Sequence, residues 1–500
     1  MLTNSPIEIF EKLQSALQST SYQRLRLSVE NNFFFYPRKL DEYQLHRLKF
    51  LLTKVPKVRL YIYLCQVIIW VPLYLIVNGL KYGAHFFQGF SLRKTVEREV
   101  PLILISHGIL SGKSMRADGF LNSILSEFSV ETKYRVLLIP HFRRFNQNKN
   151  LKLPENYENI KRHLSLRQFW IVLTKNLTHS LKLCIMALTA SNLEPLSRTY
   201  LARAARSQLS SGSVTISQLA INLCSRIEKL SSRKVLIPYE GHALEIALMR
   251  QIQQKLPEVQ IILFQHAPIV PSQLSFFDGL KLLREKDNLV VTGQIVEKII
   301  LQNRPELKNH IKVLGSDKNI KLVTKVKSGD KRYLSVLITP EASAEAIKDM
   351  CDTLKVIRPK INFATLTLRV HPRYEGKQLM TFDAFSESKL RISNSKLLDD
   401  LEQHSICLYR SSAVVFQAMS VGLIPIYCSK VPSALLDPLH LVRFIFSEEI
   451  TNWLYNDTKS DNFSDWISNP PSSLGDILTK TGNDYFSPLS KDCIKWIESP

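Results

Sequence analysis

Three short runs in this chain put acidic, imidazole and hydroxyl side chains at the ends of apolar stretches, where a parallel sheet would present them to a ligand. The first is Tyr239-Glu240-Gly241-His242, which follows the strand-like run Lys234 to Pro238 and precedes a helical pattern from Ala243. A carboxylate just beyond a strand and at the start of a helix can act as a general base toward a hydroxyl. It can also do no more than complement the positive end of the helix. Glu245, one helical turn further on, carries no expected chemistry. Gln265-His266 ends the next apolar run, Val259 to Gln265, at the equivalent edge, so Glu240, His242 and His266 are expected to share one site. His107, after the run Pro101 to Ser106, is the alternative base. The loop His107 to Ser114 contains Gly-Lys-Ser, but only three residues separate Gly108 from Gly112, one fewer than a Walker A loop needs.

The second run closes the strand-like segment Ala364 to Val370 with His371-Pro372-Arg373. Pro372 stops the strand and holds His371 extended, which makes Arg369, His371 and Arg373 a cationic cluster suited to a phosphate. The third is Ile406 to Tyr427: a buried strand, the polar turn Arg410-Ser411-Ser412, a helical pattern over Ala413 to Val421, a stop at Gly422 and a second strand. Free N–H groups, hydroxyls and an arginine at one turn could receive an anion, or the serines could simply cap the helix.

The elements that must position these runs alternate in βα fashion from residue 100 onward, the rhythm of parallel sheets. Residues 100–325 read as one α/β domain with a helical, amphipathic insertion over 155–230, and residues 326–500 as a second, after a basic linker from Asp317 to Lys331. The final helical pattern, Lys491 to Glu498, is placed to cross back to the first domain. Residues 1–99 form a helical N-terminal region. Within it Leu60 to Leu80 runs 21 residues without a charge, long enough to cross a bilayer. Gln66, Pro72 and Asn78 and the basic flanks leave three placements open: a spanning helix, an embedded hairpin bent at Pro72, or a buried helix.

A formal charge of +22 calls for an acidic partner. From Lys133 to Arg206 there are 14 Lys/Arg against 3 Asp/Glu, with no zinc finger, RNA-recognition signature or helix-turn-helix beside them. That favours an anionic membrane surface or phosphate over nucleic acid. The seven cysteines are scattered without CxxC spacing, as expected of reduced, mostly buried thiols.

Two Rossmann-like halves, Glu240-Gly241 in the first, and His371-Pro372 followed forty residues later by Ser411-Ser412 in the second, resemble the GT-B glycosyltransferases of bacterial surface-polysaccharide synthesis. The likeness is greatest to the branch of sialyltransferases and Kdo transferases that use CMP-activated sugars. It covers roughly residues 100–500. Two positions depart from the pattern: Tyr239 stands where that branch has its first acid, and Gln417 where many such enzymes have a ribose-binding glutamate. The resemblance implies an α/β fold of two Rossmann-like domains with the helical, apolar N-terminal region as an extension. It implies a nucleotide-sugar donor, possibly CMP-linked, as substrate, with no other cofactor and no metal, and a lipid-linked, lipopolysaccharide or capsule glycan as acceptor. Arg369, His371, Pro372, Arg410, Ser411, Ser412 and Gln417 would hold the donor, Glu240 or His107 would take the acceptor proton, and His242 and His266 would line the acceptor cleft. The expected location is the cytoplasmic face of the inner membrane. A nucleotide-sugar 2-epimerase and a non-catalytic membrane scaffold are the alternatives.

Overall fold

A computed structural model of the chain describes residues 61–79 (without 63, 70 and 78), 99–107, 121–139, 155–160, 166–189, 195–271 (without 210), 273–320, 334–339, 350, 352, 354, 363–369, 390–410, 412–428, 437–454 and 470–499. Two compact units emerge. The first holds the described residues up to His266 with 273–290 and 491–500; the second holds 267–272 and 291–490.

The larger sheet contains β1 (Leu102–His107), β2 (Tyr134–Ile139), β3 (Tyr157–Asn159), β4 (Lys234–Pro238), β5 (Gln260–Phe264), β6 (Asn288–Val291) and β7 (Ile311–Val313). Their order is β3-β2-β1-β4-β5-β6-β7, and the pairings from β3 through β6 are parallel. Leu102 to Ser106 and Val235 to Ile237 are buried without alternation, because both faces of a parallel sheet are covered. The strand order reverses between β1 and β4. In open α/β sheets the crevice at the carboxyl end of such a reversal is where ligands bind. β1 ends on His107, and Glu240 lies two residues beyond the end of β4.

The second unit repeats the plan. Its strands β8 (Leu334–Thr339), β9 (Phe363–Leu368), β10 (Leu390–Ile392), β11 (Ile406–Tyr409) and β12 (Ile424–Tyr427) pair in parallel in the order β10-β9-β8-β11-β12. The reversal falls between β8 and β11, and Arg410-Ser411-Ser412 follows β11 directly. The two Rossmann-like α/β sheets expected from the sequence are therefore present, preceded by a helical apolar segment.

Between β3 and β4 the first unit inserts α1 (Leu166–Thr189), α2 (Pro195–Gln208) and α3 (Ser211–Lys229). α1 turns Phe169, Val172, Leu173, Leu183 and Ala187 inward at helical spacing. Tyr157–Asn159, inside the stretch read as helical, is instead a three-residue strand beside β2. Three residues are too few to show a period, and the pairing with Val136 to Leu138 decides their state. The described residues on both sides of Pro72 are helical. Val67 and Tyr74, two helical turns apart, are buried and anchor that helix, and Arg206 of α2 donates to the Gln66 side-chain oxygen at 2.8 Å.

After β4 comes α4 (Ala243–Lys255). The second unit contributes α5 (Leu397–Gln403), α6 (Val414–Ser420) and α7 (Leu474–Tyr485). α6 and α7 pack closely enough that a Cβ on Gly482 would stand 2.4 Å from the Phe416 carbonyl oxygen, and Phe416 stacks on Tyr485 with centroids 3.4 Å apart. The last helix, α8 (Lys491–Glu498), returns to the first unit. Its Cys493, Ile494 and Ile497 are buried, Glu498 accepts the Ser129 N–H at 2.6 Å, and Lys234 donates to the Trp496 carbonyl at 3.0 Å.

Candidate active site

β4 leads into two buried residues, a tyrosine and then a carboxylate. Tyr239 is wholly buried, donates its hydroxyl to the Phe276 carbonyl at 2.6 Å and packs on the Phe276 ring at 5.1 Å. Tyr239 is thus a core residue that anchors the segment over the helix Leu274–Gly279. Next, the backbone turns at Gly241 with φ of +78°, and a Cβ there would lie 2.5 Å from the Phe276 nitrogen. Only glycine meets both demands.

The turn is wound around Glu245. One carboxylate oxygen, Oε2, accepts the N–H groups of Glu240 at 2.8 Å, Gly241 at 2.8 Å and His242 at 3.0 Å. Glu245 is buried, and burial, the largest influence, pushes its carboxyl above the ordinary carboxylate range, with Glu240 adding to the rise while His242 and the backbone N–H groups oppose it. The sequence reading that gave Glu245 no part in the site is corrected here: it shapes the loop that presents Glu240. The signal was available, since a glutamate three residues after the residue preceding a helix is the acidic half of a capping box. Gln273 was also missed. Its amide donates to the Glu240 carbonyl at 2.8 Å from outside the motif, and no local pattern announces it.

The Glu240 side chain sits between two imidazoles. His266 Nε2 lies 3.1 Å from Oε1 and His242 Nε2 lies 3.3 Å from Oε2, with side-chain exposures of 11% for Glu240 and His266 and 23% for His242. The structure thus brings together three of the sequence-derived residues, and it does so at adjacent strand ends, β4 and β5. Both imidazole nitrogens therefore lie within hydrogen-bond reach of one carboxylate at the ends of two adjacent strands. His107 is the last residue of β1, the strand beside β4 at the reversal; its side chain lies outside the described residues. A cavity of about 500 Å³ lined by Pro101, Ser129, Thr132 and Lys495 is at the opposite, amino end of this sheet, away from the cluster.

In the second unit His371, Pro372, Arg373 and Ser411 lie outside the described residues. Arg369, expected to face a phosphate, has protein partners: it pairs with Asp400 of α5 at 2.5 Å and donates to the Ser395 carbonyl at 2.9 Å. It ties the end of β9 to the start of α5 instead of offering an unpaired charge. Arg410 is buried. α6 begins at Val414 with Ala413 at the cap position. The Ser412 hydroxyl accepts the Val414 N–H at 3.3 Å. Gln417, expected on a ribose, donates to the Lys318 carbonyl at 3.3 Å. Among the described residues no group of three His, Cys, Asp or Glu side chains is arranged to hold a metal ion.

No protein-family model matches the sequence. No curated protein matches it either. Among solved structures, a protein described as a UDP-N-acetylglucosamine 2-epimerase from Listeria monocytogenes is similar with 10% identity, 79% of this chain and 95% of that chain covered, and a TM-score of 0.44. The lipopolysaccharide outer core galactosyltransferase WaaB, in its apo form, is similar with 10% identity, coverage of 79% and 98%, and a TM-score of 0.42. MurG from Acinetobacter baumannii is similar with 9% identity, coverage of 80% and 99%, and a TM-score of 0.42. At this identity and score the likeness concerns the course of the chain and carries nothing about chemistry.

Proposed function

We propose that the chain is a glycosyltransferase that moves a sugar from a nucleotide-activated donor to a glycan or lipid-linked acceptor at the cytoplasmic face of the inner membrane. The observation that carries the reading is Glu240, held between His242 and His266 beyond the end of β4, next to the strand reversal of the first sheet. A carboxylate so placed is a general base for a hydroxyl. The second sheet follows the same plan, and Arg410, the Ser411-Ser412 turn and His371 of its unit are the groups proposed to meet the nucleotide phosphate.

In this reading the acceptor oxygen attacks the anomeric carbon as its proton passes to Glu240. The bond from that carbon to the phosphate oxygen breaks, and the nucleotide leaves with the electron pair. Hydrogen-bond donors at the second site offset the charge that develops there. Glu245 and Gln273 fix the Glu240 backbone, so the carboxylate needs no reordering before it reacts. Arg369, through Asp400 and Ser395, is a positioning residue for the strand end that leads to His371. The order Glu240-Gly241, His371-Pro372, Ser411-Ser412 supports a CMP-linked donor.

The test is incubation of the full chain with CMP-, UDP- and GDP-sugars and a panel of glycan acceptors, wild type beside Glu240→Gln. Donor consumption by the wild type, with transfer lost in the variant, supports the reading. Interconversion of the donor sugar at carbon 2 without transfer would make the chain an epimerase. Binding of no nucleotide sugar at all would leave a scaffold and overturn the proposal.

A further inference from the structure

Among the described residues, fourteen of the eighteen exposed large apolar side chains lie on two helices of the first unit, the 61–79 helix and α1. α1 shows Leu166, Trp170, Leu181, Ile185 and Leu188 outward, each between 46% and 58% exposed, and the 61–79 helix shows Ile68 at 73% and Ile69 at 62%. Neither helix contains an acidic residue, and neither does α2.

The polar groups on the outward face of α1 are arranged for an apolar medium. The Thr174 and Thr178 hydroxyls donate to the carbonyls four residues back, of Trp170 and Thr174, both at 2.9 Å, and Thr189 does the same to Ile185 at 2.9 Å. None of the three hydroxyls therefore depends on water for a partner. Lys175 and Lys182, exposed and seven residues apart, share one flank of the apolar face, from which long side chains can lay their stems on lipid and raise their charge to headgroups. Arg198 closes the C-terminal end of α1 by donating to the Ala187 carbonyl at 2.7 Å and the Leu188 carbonyl at 2.8 Å.

We propose that the outward faces of α1 and of the 61–79 helix form a docking surface that lies in the interfacial plane of an anionic bilayer. α1 is long and apolar enough to span, by length and composition. Its inner stripe is nevertheless committed to protein: Asn176 accepts from Gln208 at 2.9 Å and Ser180 donates to the Ala205 carbonyl at 2.8 Å. A spanning helix would have to abandon those buried bonds. A second copy of the chain is the poorer occupant, because a two-fold contact through these faces brings Lys175, Lys182 and Arg167 toward their own equivalents on helices that themselves carry no acidic residue. A headgroup layer of phosphatidylglycerol offers the missing negative charge, and Trp170 is the residue type that favours the interface.

The experiment is flotation of the full chain with vesicles of phosphatidylcholine alone and of equal parts phosphatidylcholine and phosphatidylglycerol. It needs no sugar donor, so it stands or fails apart from the transferase reading. The chain is expected to float with the anionic vesicles and to be released by alkaline carbonate. Lys175→Ala with Lys182→Ala, both on the exposed flank, should lower anionic partitioning by about 30-fold, two basic contacts near a charged surface. Leu181→Asn with Ile185→Asn should lower it by more than about 10-fold and leave the melting temperature unchanged. Flotation with neither vesicle overturns the proposal, as does partitioning indifferent to both pairs. Resistance to carbonate would mean a spanning helix, and apolar variants that only dissociate a dimer would mean a contact between copies; either result overturns it too.

Discussion

The two strand reversals of this chain are built on one plan and furnished with opposite chemistry. At the first, between β1 and β4, the strand ends carry a carboxylate flanked by two imidazoles, groups that accept and pass protons. At the second, between β8 and β11, the strand end is followed by an arginine and two serines, hydrogen-bond donors rather than acids. The closing contacts differ too: the first turn folds three N–H groups onto the Glu245 carboxylate, whereas in the second the Val414 N–H goes to the Ser412 hydroxyl and the Val415 and Phe416 N–H groups go to the Ser412 and Ala413 carbonyls. The strand order around the two reversals is shared, while the side chains that follow the strands differ.

The comparison breaks most sharply at Glu240. Glu240→Gln keeps the shape and removes the basicity, so kcat should fall by roughly 10²- to 10⁴-fold with donor affinity preserved. A variant that kept more than about a third of wild-type turnover, far below that range, would end the assignment and point to His242 or His107.

Glu245 comes next. Glu245→Ala leaves three buried N–H groups without an acceptor, and each buried donor left unsatisfied costs about 1–3 kcal/mol. Thermal unfolding of the variant should show a loss of at least that size, accompanied by a fall in kcat. Unchanged melting and turnover would mean that the turn holds its form without the carboxylate.

At the other reversal, Ser411→Ala with Ser412→Ala should weaken nucleotide binding by about 1.5–3 kcal/mol in calorimetry while the melting temperature stays put. Equal affinity in wild type and variant would remove the serine turn from the nucleotide site.

The smallest expected difference is in acid response. His440, in the second unit, is held by burial and by the neighbouring Arg443 at about 4, below its ordinary 6.5. The unfolded chain binds that proton first, so the stability this neutral imidazole contributes is present above pH 6.5 and is lost as pH falls toward about 4. Glu245 works in the opposite sense: with its folded carboxyl raised, its contribution declines as pH rises above its ordinary 4.5. Scanning calorimetry from neutral to acid should therefore show His440→Gln flattening the acid loss and Glu245→Gln leaving it in place. Identical pH profiles for wild type and His440→Gln would remove His440 as the cause.

The strands that carry these sites were legible because each is a short apolar run bounded by a polar turn, and a run covered on both faces needs little context to be recognised. Glu240, His242 and His266 were found for the same reason, as polar residues stationed where apolar runs stop. Arg369 was misread by that rule: its position at a strand end was right, but Asp400, thirty-one residues on, takes its charge, and nothing local to either residue announces the pair. The helical pattern over Ala413 to Val421 is present as α6 from Val414 to Ser420, a shift of one residue at each end that the pattern of apolar positions does not resolve.

The sequence by itself determined the alternation of strands and helices, the excess of positive charge and the residue types at each strand end, because these depend on neighbours along the chain. Tertiary structure alone decided that β4 lies beside β1 and β5, and hence that His266 reaches Glu240 across the ends of two adjacent strands. It also decided that Tyr239 is a core residue and that Glu245 gathers three N–H groups onto one oxygen. Those outcomes rest on the register of parallel strands and on which groups are cut off from water. Both are properties of segments brought together from far apart in the chain, and a reading of periodicity and spacing does not contain them.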